Sequence, residues 1–373
     1  MTKKLTLLPV LLAQLLFVPK ASSQAVEHRF QDVLDSAFTS NSDAVGILAD
    51  VESTKLHISW NGAMGHSEKG AQSQLVEDQP ALIASNTKTY VAVAILKLVE
   101  AHRINLQDPI ADLLKPQTRK LLSEAGYKLH DITIKDLLSH TSSIKDYVDS
   151  SYFQFVEETP LHRWSRNEQI ALSAGKGKPL AEPGTHFAYG DINYLLLTEI
   201  LESRTGKPFY TAIRDLIGFE KLGLRSTWFI QLEEPPQDAK PLVHQYWETK
   251  QWDSYDLDPS WDLYGGGGMA ATVKDLALFF QKLFDGEIIA DKELLSQLHT
   301  FVLPQEQSNY CLGIRTISFH GQTGYYHGGF WGTDVMYLPD YDMTIAVFTL
   351  EKDKRDINAA LSYAFIQAIS GSK

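Results

Sequence analysis

The stretch IASNTKTYVAVAIL, residues 83–96, decides how this chain is read. Its second half, Val91 to Leu96, is apolar on every face of a helix, so the spacing predicts a buried helix rather than an amphipathic surface one. Ser85 opens that helix and Lys88 follows one turn later. Positions i and i+3 share a helix face, so the ammonium can meet the hydroxyl. A lysine in an apolar setting loses hydration, which lowers its pKa and suits it to act as a base. A helix N-terminus adds positive potential that favours a nearby oxyanion. Without those neighbours the same residues are an N-cap serine and an ordinary surface lysine.

Spacing alone decides nothing. S-x-x-K occurs four times, at Ser85/Lys88, Ser142/Lys145, Ser173/Lys176 and Ser370/Lys373. Ser370 sits in a polar tail, Ser173 leads into the Gly175–Lys178 run, and Ser142 lies in a loop-like HTSS segment. Sequence context predicts a rigid, water-poor setting for Ser85 only.

The period of the apolar residues outlines the rest. Val26 to Phe38 reads as an amphipathic helix; Ala44 to Val51 and Lys55 to Trp60 read as strands. From about 106 to 255 strand signals are sparse, and helices are predicted at 134–139, 166–174, 191–204 and 209–217. Thr272 to Phe284 is a helix stopped by Asp285-Gly286. Leu312 to Phe319, Thr333 to Tyr337 and Met343 to Leu350 read as strands, and 355–369 as a closing helix. Strands at both ends with helices between them imply an α/β chain of the α+β type. It would have one antiparallel sheet flanked by helices and an all-helical insertion. The expected units are a discontinuous domain of residues 24–105 and 256–373 and a helical domain of 106–255, with the site in the cleft between them.

Residues 1–23 read as a secretory signal peptide: Lys3 and Lys4, an apolar run from Leu5 to Val18, then small residues with a cut after Ser23. The chain is therefore expected outside the cytoplasm, periplasmic or extracellular. A lone cysteine, Cys311, excludes an internal disulfide. The formal charge of −12 argues against nucleic acid and anionic membranes as partners. No second apolar run is long enough to span a bilayer, and His140, His244, His320 and His327 lack metal-ligand spacing. No metal and no cofactor are expected; the partner is a small-molecule or peptide substrate.

Further segments carry a resemblance. Leu137–Ile144 (LLSHTSSI) resembles the LLSHTSGL signature of serine hydrolases related to class C β-lactamases and D-alanyl-D-alanine carboxypeptidases, the penicillin-binding-protein-like family. Pro183–Tyr189 resembles the PG-x-x-F-x-Y segment of that family. Gly266–Thr272, followed by Asp275, Leu276 and Phe279, resembles its glycine-rich helix start, and His327–Gly332 its GH-x-G-x-x-G strand. The segments come in the family's order across nearly the whole chain.

The resemblance implies a β-lactamase/transpeptidase-like fold and an acyl-enzyme at Ser85. Lys88 would take or relay the proton, and Tyr189 would pass a proton to the leaving group. The oxyanion hole would be the N–H groups of Ser85 and Phe330. Asp191, His327, Gly328 and Gly329 would meet the substrate, with the His327 imidazole standing where relatives carry lysine. Gln322-Thr323-Gly324 competes with His327 for that third motif. Two positions depart from the pattern. Ser143 stands where Gly is usual, which touches a turn. Asp191 stands where Asn is usual; an ionised Asp only accepts hydrogen bonds and can pair with Lys88, raising its pKa, or simply cap the next helix. The implied function is a secreted D-alanyl-D-alanine carboxypeptidase-like peptidase or D-amino peptide hydrolase. A carboxylesterase or class C-like β-lactamase is the alternative on the same chemistry, and a catalytically weak penicillin-binding or sensor module the alternative of another class. The run from Tyr246 to Tyr264, rich in Trp and Asp, is expected near the cleft mouth, either as a substrate flap or as a packed loop.

Overall fold

The structure, a computed structural model, describes residues 23–370. The predicted signal peptide falls outside the described residues apart from its last residue. The described chain starts with α1 (Ser23–Ser40) and two strands, β1 (Gly46–Ser53) and β2 (Ile58–Gly65). A short β3 (Ala81–Leu82) leads into α2 (Thr87–Glu100). Then come α3 (Pro116–Glu124), α4 (Ile134–Leu138), α5 (Ser150–Glu158), α6 (Arg166–Gly175), α7 (Ile192–Thr205), α8 (Phe209–Ile217) and α9 (Phe219–Leu222). Short strands β4 (Thr227–Phe229), β5 (Tyr246–Trp247), β6 (Trp252–Asp253) and β7 (Met269–Ala271) precede α10 (Val273–Phe284) and α11 (Lys292–Leu298). The chain finishes with β8 (Arg315–Phe319), β9 (Gln322–Gly329), β10 (Thr333–Leu338), β11 (Met343–Thr349) and α12 (Asp356–Ser370).

The main sheet is antiparallel with six strands in the order β2-β1-β11-β10-β9-β8. The two ends of the chain meet at its centre, where Ile47 to Glu52 pair with Thr349 to Thr344. Strand β1 is buried at every position because both faces are covered, and the period of two sorts its residues. Ile47, Ala49 and Val51 pack with Phe30, Leu34 and Phe365 of the terminal helices; Leu48 joins the larger core on the other side, with Ala346 and Phe348. On that other side α10 crosses β1 and β11.

Helix α2 runs through the larger core. Tyr90 to Leu96 have no exposed surface, and Tyr90 stacks on Phe279 of α10 with ring centres 3.7 Å apart. The helices α7 and α8 close around α2. Two smaller sheets, β3-β7-β4 and the ribbon β5-β6, place three short strands, β4, β5 and β6, within residues 106–255, a stretch expected to be all-helical.

Some elements differ from the sequence expectation. Ser85 does not open the α-helix: it sits in a 3-10 turn, Ala84–Asn86, just before α2. Strand β9 is a separate strand that the residue pattern hides, since QTGYYHGG carries three glycines and glycine weakens a strand signal. His327 to Gly329 therefore end one strand and do not begin the next. The short helices α3, α5 and α11 fall in stretches predicted only as loop-rich or left without an element.

Candidate active site

The turn that carries Ser85 is pinned from two sides. The Ile83 N–H donates to Met269 O of β7 at 3.0 Å. The Asn86 amide donates to Ile83 O at 3.0 Å, and to Thr333 O and Oγ1 of β10 at 3.1 and 3.0 Å. Ala84 holds a left-handed φ of +45°, which costs energy for a residue with a Cβ and directs the following serine outward. Ser85 is half-buried, its neighbours buried.

Lys88 is fully buried and donates to Ser85 Oγ at 3.0 Å and to Gly266 O. Its Nζ lies 2.6 Å from Asp191 Oδ1 and 5.0 Å from the centre of the Tyr189 ring. Burial by itself would lower the lysine pKa. The neighbouring Asp191, Tyr189 and Asp262 outweigh it, so the amine is held well above its ordinary value and stays charged. That corrects the expectation of a lysine with a burial-lowered pKa, and of the two roles open to Asp191 it is the pairing with Lys88 that is found.

Asp191 begins α7 at the N-cap position, yet its side chain makes no capping bond. Asp146 takes that duty, its Oδ1 accepting from Ile192 N–H at 3.1 Å. Burial, then the Asp191 charge, pushes the Asp146 carboxyl up to about 7, and Asp262 is also raised well above its usual range, mainly by burial. Three carboxyl groups thus share one buried ammonium. The glycine run belongs to this arrangement: a Cβ on Gly266 would sit 2.8 Å from Asp191 Cγ, and one on Gly267 would sit 2.1 Å from Asp262 Oδ2. Asp146 and Asp262 carry no motif; only their nearness in sequence to LLSHTSSI and to the glycine run could have pointed to them.

Tyr189 stands over this pair, 37% exposed, so the group opens on solvent. Burial of its hydroxyl end raises the pKa, while Lys88 and Ser85 pull it back. Its ring packs 4.3 Å from that of His140, whose backbone O accepts from Ala188 N–H at 2.9 Å. His140 and Ser143 have φ of +57° and +63°, so Ser143 does occupy a glycine-like turn position.

The third motif closes the other side. His327 is buried and bonds through Nε2 to the Tyr310 hydroxyl at 3.0 Å and through Nδ1 to Gly328 O at 3.1 Å. A carbonyl only accepts, so Nδ1 carries the proton and Nε2 accepts from Tyr310. Burial, with Lys88 and Arg315 nearby, keeps the ring neutral. His327 is therefore a neutral imidazole already engaged by Tyr310. Gln322, at the other end of β9, donates to Tyr341 Oη at 2.8 Å.

Gly329 lies against the turn that carries Ser85: a Cβ there would be 2.3 Å from Ile83 O. The strand therefore reaches Ser85 only because that residue is glycine. Gly328 faces the opposite side, toward Arg355, Asp334 and Tyr326, so only its backbone is available to the cleft. Phe330 follows at the strand end. The Ser85 N–H lies in a first turn, where helix N–H groups have no intrahelical acceptor.

The other S-x-x-K pairs differ from expectation. Ser142 and Ser173 are buried too, so a water-poor setting does not single out Ser85. What does is the lysine: Lys145 donates to Lys176 O and Lys176 pairs with Asp149, away from their serines. Among the described residues, no helix is long and apolar enough to cross a membrane and no group of three or more His, Cys, Asp or Glu is placed to hold a metal.

Comparisons with known proteins match the geometry. The profile of a family described as Beta-lactamase covers residues 34–366. D-alanyl-D-alanine-carboxypeptidase/endopeptidase AmpH of Escherichia coli (strain K12) is 22% identical over 250 residues, covering 67% of this chain and 60% of that protein. A putative penicillin-binding protein, PbpX of Bacillus subtilis (strain 168), is 26% identical over 232 residues, 62% of this chain and 52% of that one. The match thus spans little more than half the length of these curated relatives. Among solved structures, D-amino acid amidase from Ochrobactrum anthropi SV3 superposes with a TM-score of 0.75 at 21% identity, covering 93% of this chain and 99% of that one. A D-stereospecific amidohydrolase from Streptomyces sp. gives 0.73 at 24%, covering 92% and 98%. At these identities the structural likeness speaks for the fold.

Proposed function

The chain belongs to the Beta-lactamase family, and on that premise we propose that it is a secreted serine hydrolase that forms an acyl-enzyme at Ser85. The observation that carries this reading is the Lys88 ammonium 3.0 Å from Ser85 Oγ beneath an open Tyr189. Ser85 Oγ attacks the substrate carbonyl, and the oxyanion is met by the N–H groups of Ser85 and Phe330. With Lys88 held charged, the serine proton goes to Tyr189 in its phenolate form, which burial opposes and the Lys88 charge and the Ser85 hydrogen bond favour. Tyr189 returns the proton to the leaving amine or alcohol; water then attacks the acyl-enzyme by the same route in reverse.

D-amino peptides and amides are the first substrate class, supported by the carboxypeptidase and amidase names among the similar proteins. Small esters and β-lactams come after; Asp191, which cannot donate to a substrate amide carbonyl, weighs against β-lactam and acyl-D-Ala-D-Ala recognition more than against hydrolysis itself. The Lys88–Asp191 ion pair also favours a second reading, a slow penicillin-binding module in which acylation is weak. The discontinuous unit of 24–105 with 256–373 and the helical unit of 106–255 remain the proposed division around the cleft.

Labelling with a fluorophosphonate and with a penicillin, followed by peptide mapping, tests the reading. An adduct at Ser85 is expected; its absence from folded protein sinks the hydrolase. Turnover of a D-Ala-D-Ala peptide, a D-amino amide, a p-nitrophenyl ester and nitrocefin then separates the hydrolase from the slow module.

A further inference from the structure

Lys352 is a cation set against two aromatic rings, and among the described residues it makes no ion pair. It lies in a 3-10 segment, Lys352–Lys354, between β11 and α12. Its Nζ is 3.2 Å from the centre of the Trp247 ring and 4.0 Å from that of Phe330. Those rings meet at 90° with centres 5.3 Å apart, so the ammonium occupies the corner between two aromatic faces. The carboxylates around it have other partners. Asp353 accepts from Thr249 N–H and Oγ1–H at 2.9 and 3.1 Å. Glu351 accepts from Val45 N–H and pairs with Lys354. Asp334 holds Arg355, and Glu248 holds Lys69.

We propose that Lys352 is a positioning residue for the oxyanion-side backbone: seated between Trp247 and Phe330, its ammonium fixes Phe330 so that the Phe330 N–H faces the Ser85 turn. This rests on the oxyanion role given to Phe330 above. The corner joins three separate pieces of chain. Trp247 comes from the ribbon β5-β6, Phe330 from the end of β9, and Lys352 from the segment beyond β11. The ribbon is itself tied to that segment by Tyr246 N–H donating to Leu350 O at 2.8 Å. Phe330 is further boxed by Phe153, Trp261 and Trp331, with centres 5.9, 5.3 and 5.0 Å away. Those contacts are apolar and tolerate sliding. The cation adds an electrostatic attraction to the Phe330 ring face. Burial, with Arg355 acting in the same direction and Asp353 against it, pulls the lysine pKa down to about 8, so its charge is lost as pH rises through that value.

The test compares wild type, Lys352→Met and Lys352→Arg in p-nitrophenyl ester hydrolysis across pH 6 to 10, with melting temperatures and Ser85 labelling of each. Lys352→Met keeps the stem and loses the charge. It is expected to lower kcat about tenfold, equivalent to roughly 1.4 kcal/mol, with KM changed by less than about twofold. Lys352→Arg is expected to keep most of kcat and to carry it past pH 8, where wild type declines. Should Lys352→Met melt early, the arginine variant and the wild-type pH profile still decide. Lys352→Met with wild-type kcat, or Lys352→Arg with an unchanged alkaline decline, overturns the inference while labelled Ser85 leaves the hydrolase standing. A wild type without a Ser85 adduct overturns both.

Discussion

Lys88 and Asp191 form an ion pair with Nζ 2.6 Å from Oδ1, the lysine side chain wholly buried and the carboxylate 14% exposed. The pair sits where proton transfer from Ser85 would begin, and it holds the lysine charged. Asp191→Asn removes the negative partner and supplies an amide that can also donate. The lysine pKa then falls, which opens a second base for Ser85, the free Lys88 amine, beside the Tyr189 phenolate, and each unit gives about tenfold more of that amine at a fixed pH below it. Phosphonylation of Ser85 by a fluorophosphonate at pH 7, with fluoride leaving, is expected to rise at least about tenfold, and its acid limb to move to lower pH. Faster labelling by penicillin is expected as well. A slower Asp191→Asn variant would mean that the carboxylate itself takes part in proton transfer.

The same pair makes a stability prediction. Lys88→Met strands the Asp191 carboxylate among the raised carboxyl groups of Asp146 and Asp262, and breaking a buried pair by removing one partner costs about 3–5 kcal/mol. A lysine whose folded pKa is raised contributes fully at all pH values below its unfolded value of about 10.4, so the loss is present at pH 7. Urea denaturation should show it, and Lys88→Met with Asp191→Asn should recover a good part. Equal midpoints for the single and double variants would show that the carboxylates do not depend on the lysine.

Much of the architecture was legible because it follows from simple periods. The continuous apolar run of α2 announced a buried helix, and the strand-like stretches at the two ends announced a shared sheet. Gly266 and Gly267 were legible only as part of a motif; their cause is the carboxyl groups pressing on the backbone, Asp191 from far earlier in the chain and Asp262 from the turn just before. Asp191 was legible as a departure, and its bond to Lys88 was among the alternatives its chemistry allowed. Strand β9 was not legible, since glycine and tyrosine in QTGYYHGG gave no alternation to follow. Tyr310 was missed for a different reason: nothing local marks a tyrosine whose partner, the His327 ring, arrives from the neighbouring hairpin.

Gly329 and Gly328 give a paired test of the strand beside the nucleophile. A methyl group on Gly329 would press on Ile83 O from 2.3 Å, so β9 must draw back from the turn that carries Ser85. Removing an oxyanion donor costs about 10²–10³ in kcat, and Gly329→Ala is expected to approach that loss with a smaller change in KM. Gly328→Ala meets Arg355, Asp334 and Tyr326 on the far face. It is expected to lower the melting temperature more than it lowers kcat. The two variants exchanging these effects would reverse the assignment of strand faces. Steady-state kinetics and thermal melts on both variants read the outcome.

Asp146 carries the last prediction, a change of stability with pH. Its carboxyl is raised to about 7 by burial and by the Asp191 charge, against about 3.9 in an unfolded chain. Between those values the folded protein binds the extra proton. A group of this kind stabilises the fold below its unfolded pKa, and the contribution is lost as pH rises through the folded one. Wild type should therefore lose stability between pH 5 and 8. Asp146→Asn keeps an oxygen that can accept from Ile192 N–H and has nothing to ionise. Relative to wild type it should gain stability steadily from pH 5 to 8, with part of the slope left because Asp262 is raised as well. Urea midpoints at pH 5, 6, 7 and 8 measure this directly. Parallel curves for the two proteins would place the ionisation elsewhere, and Asp146 would then be a helix cap and nothing more.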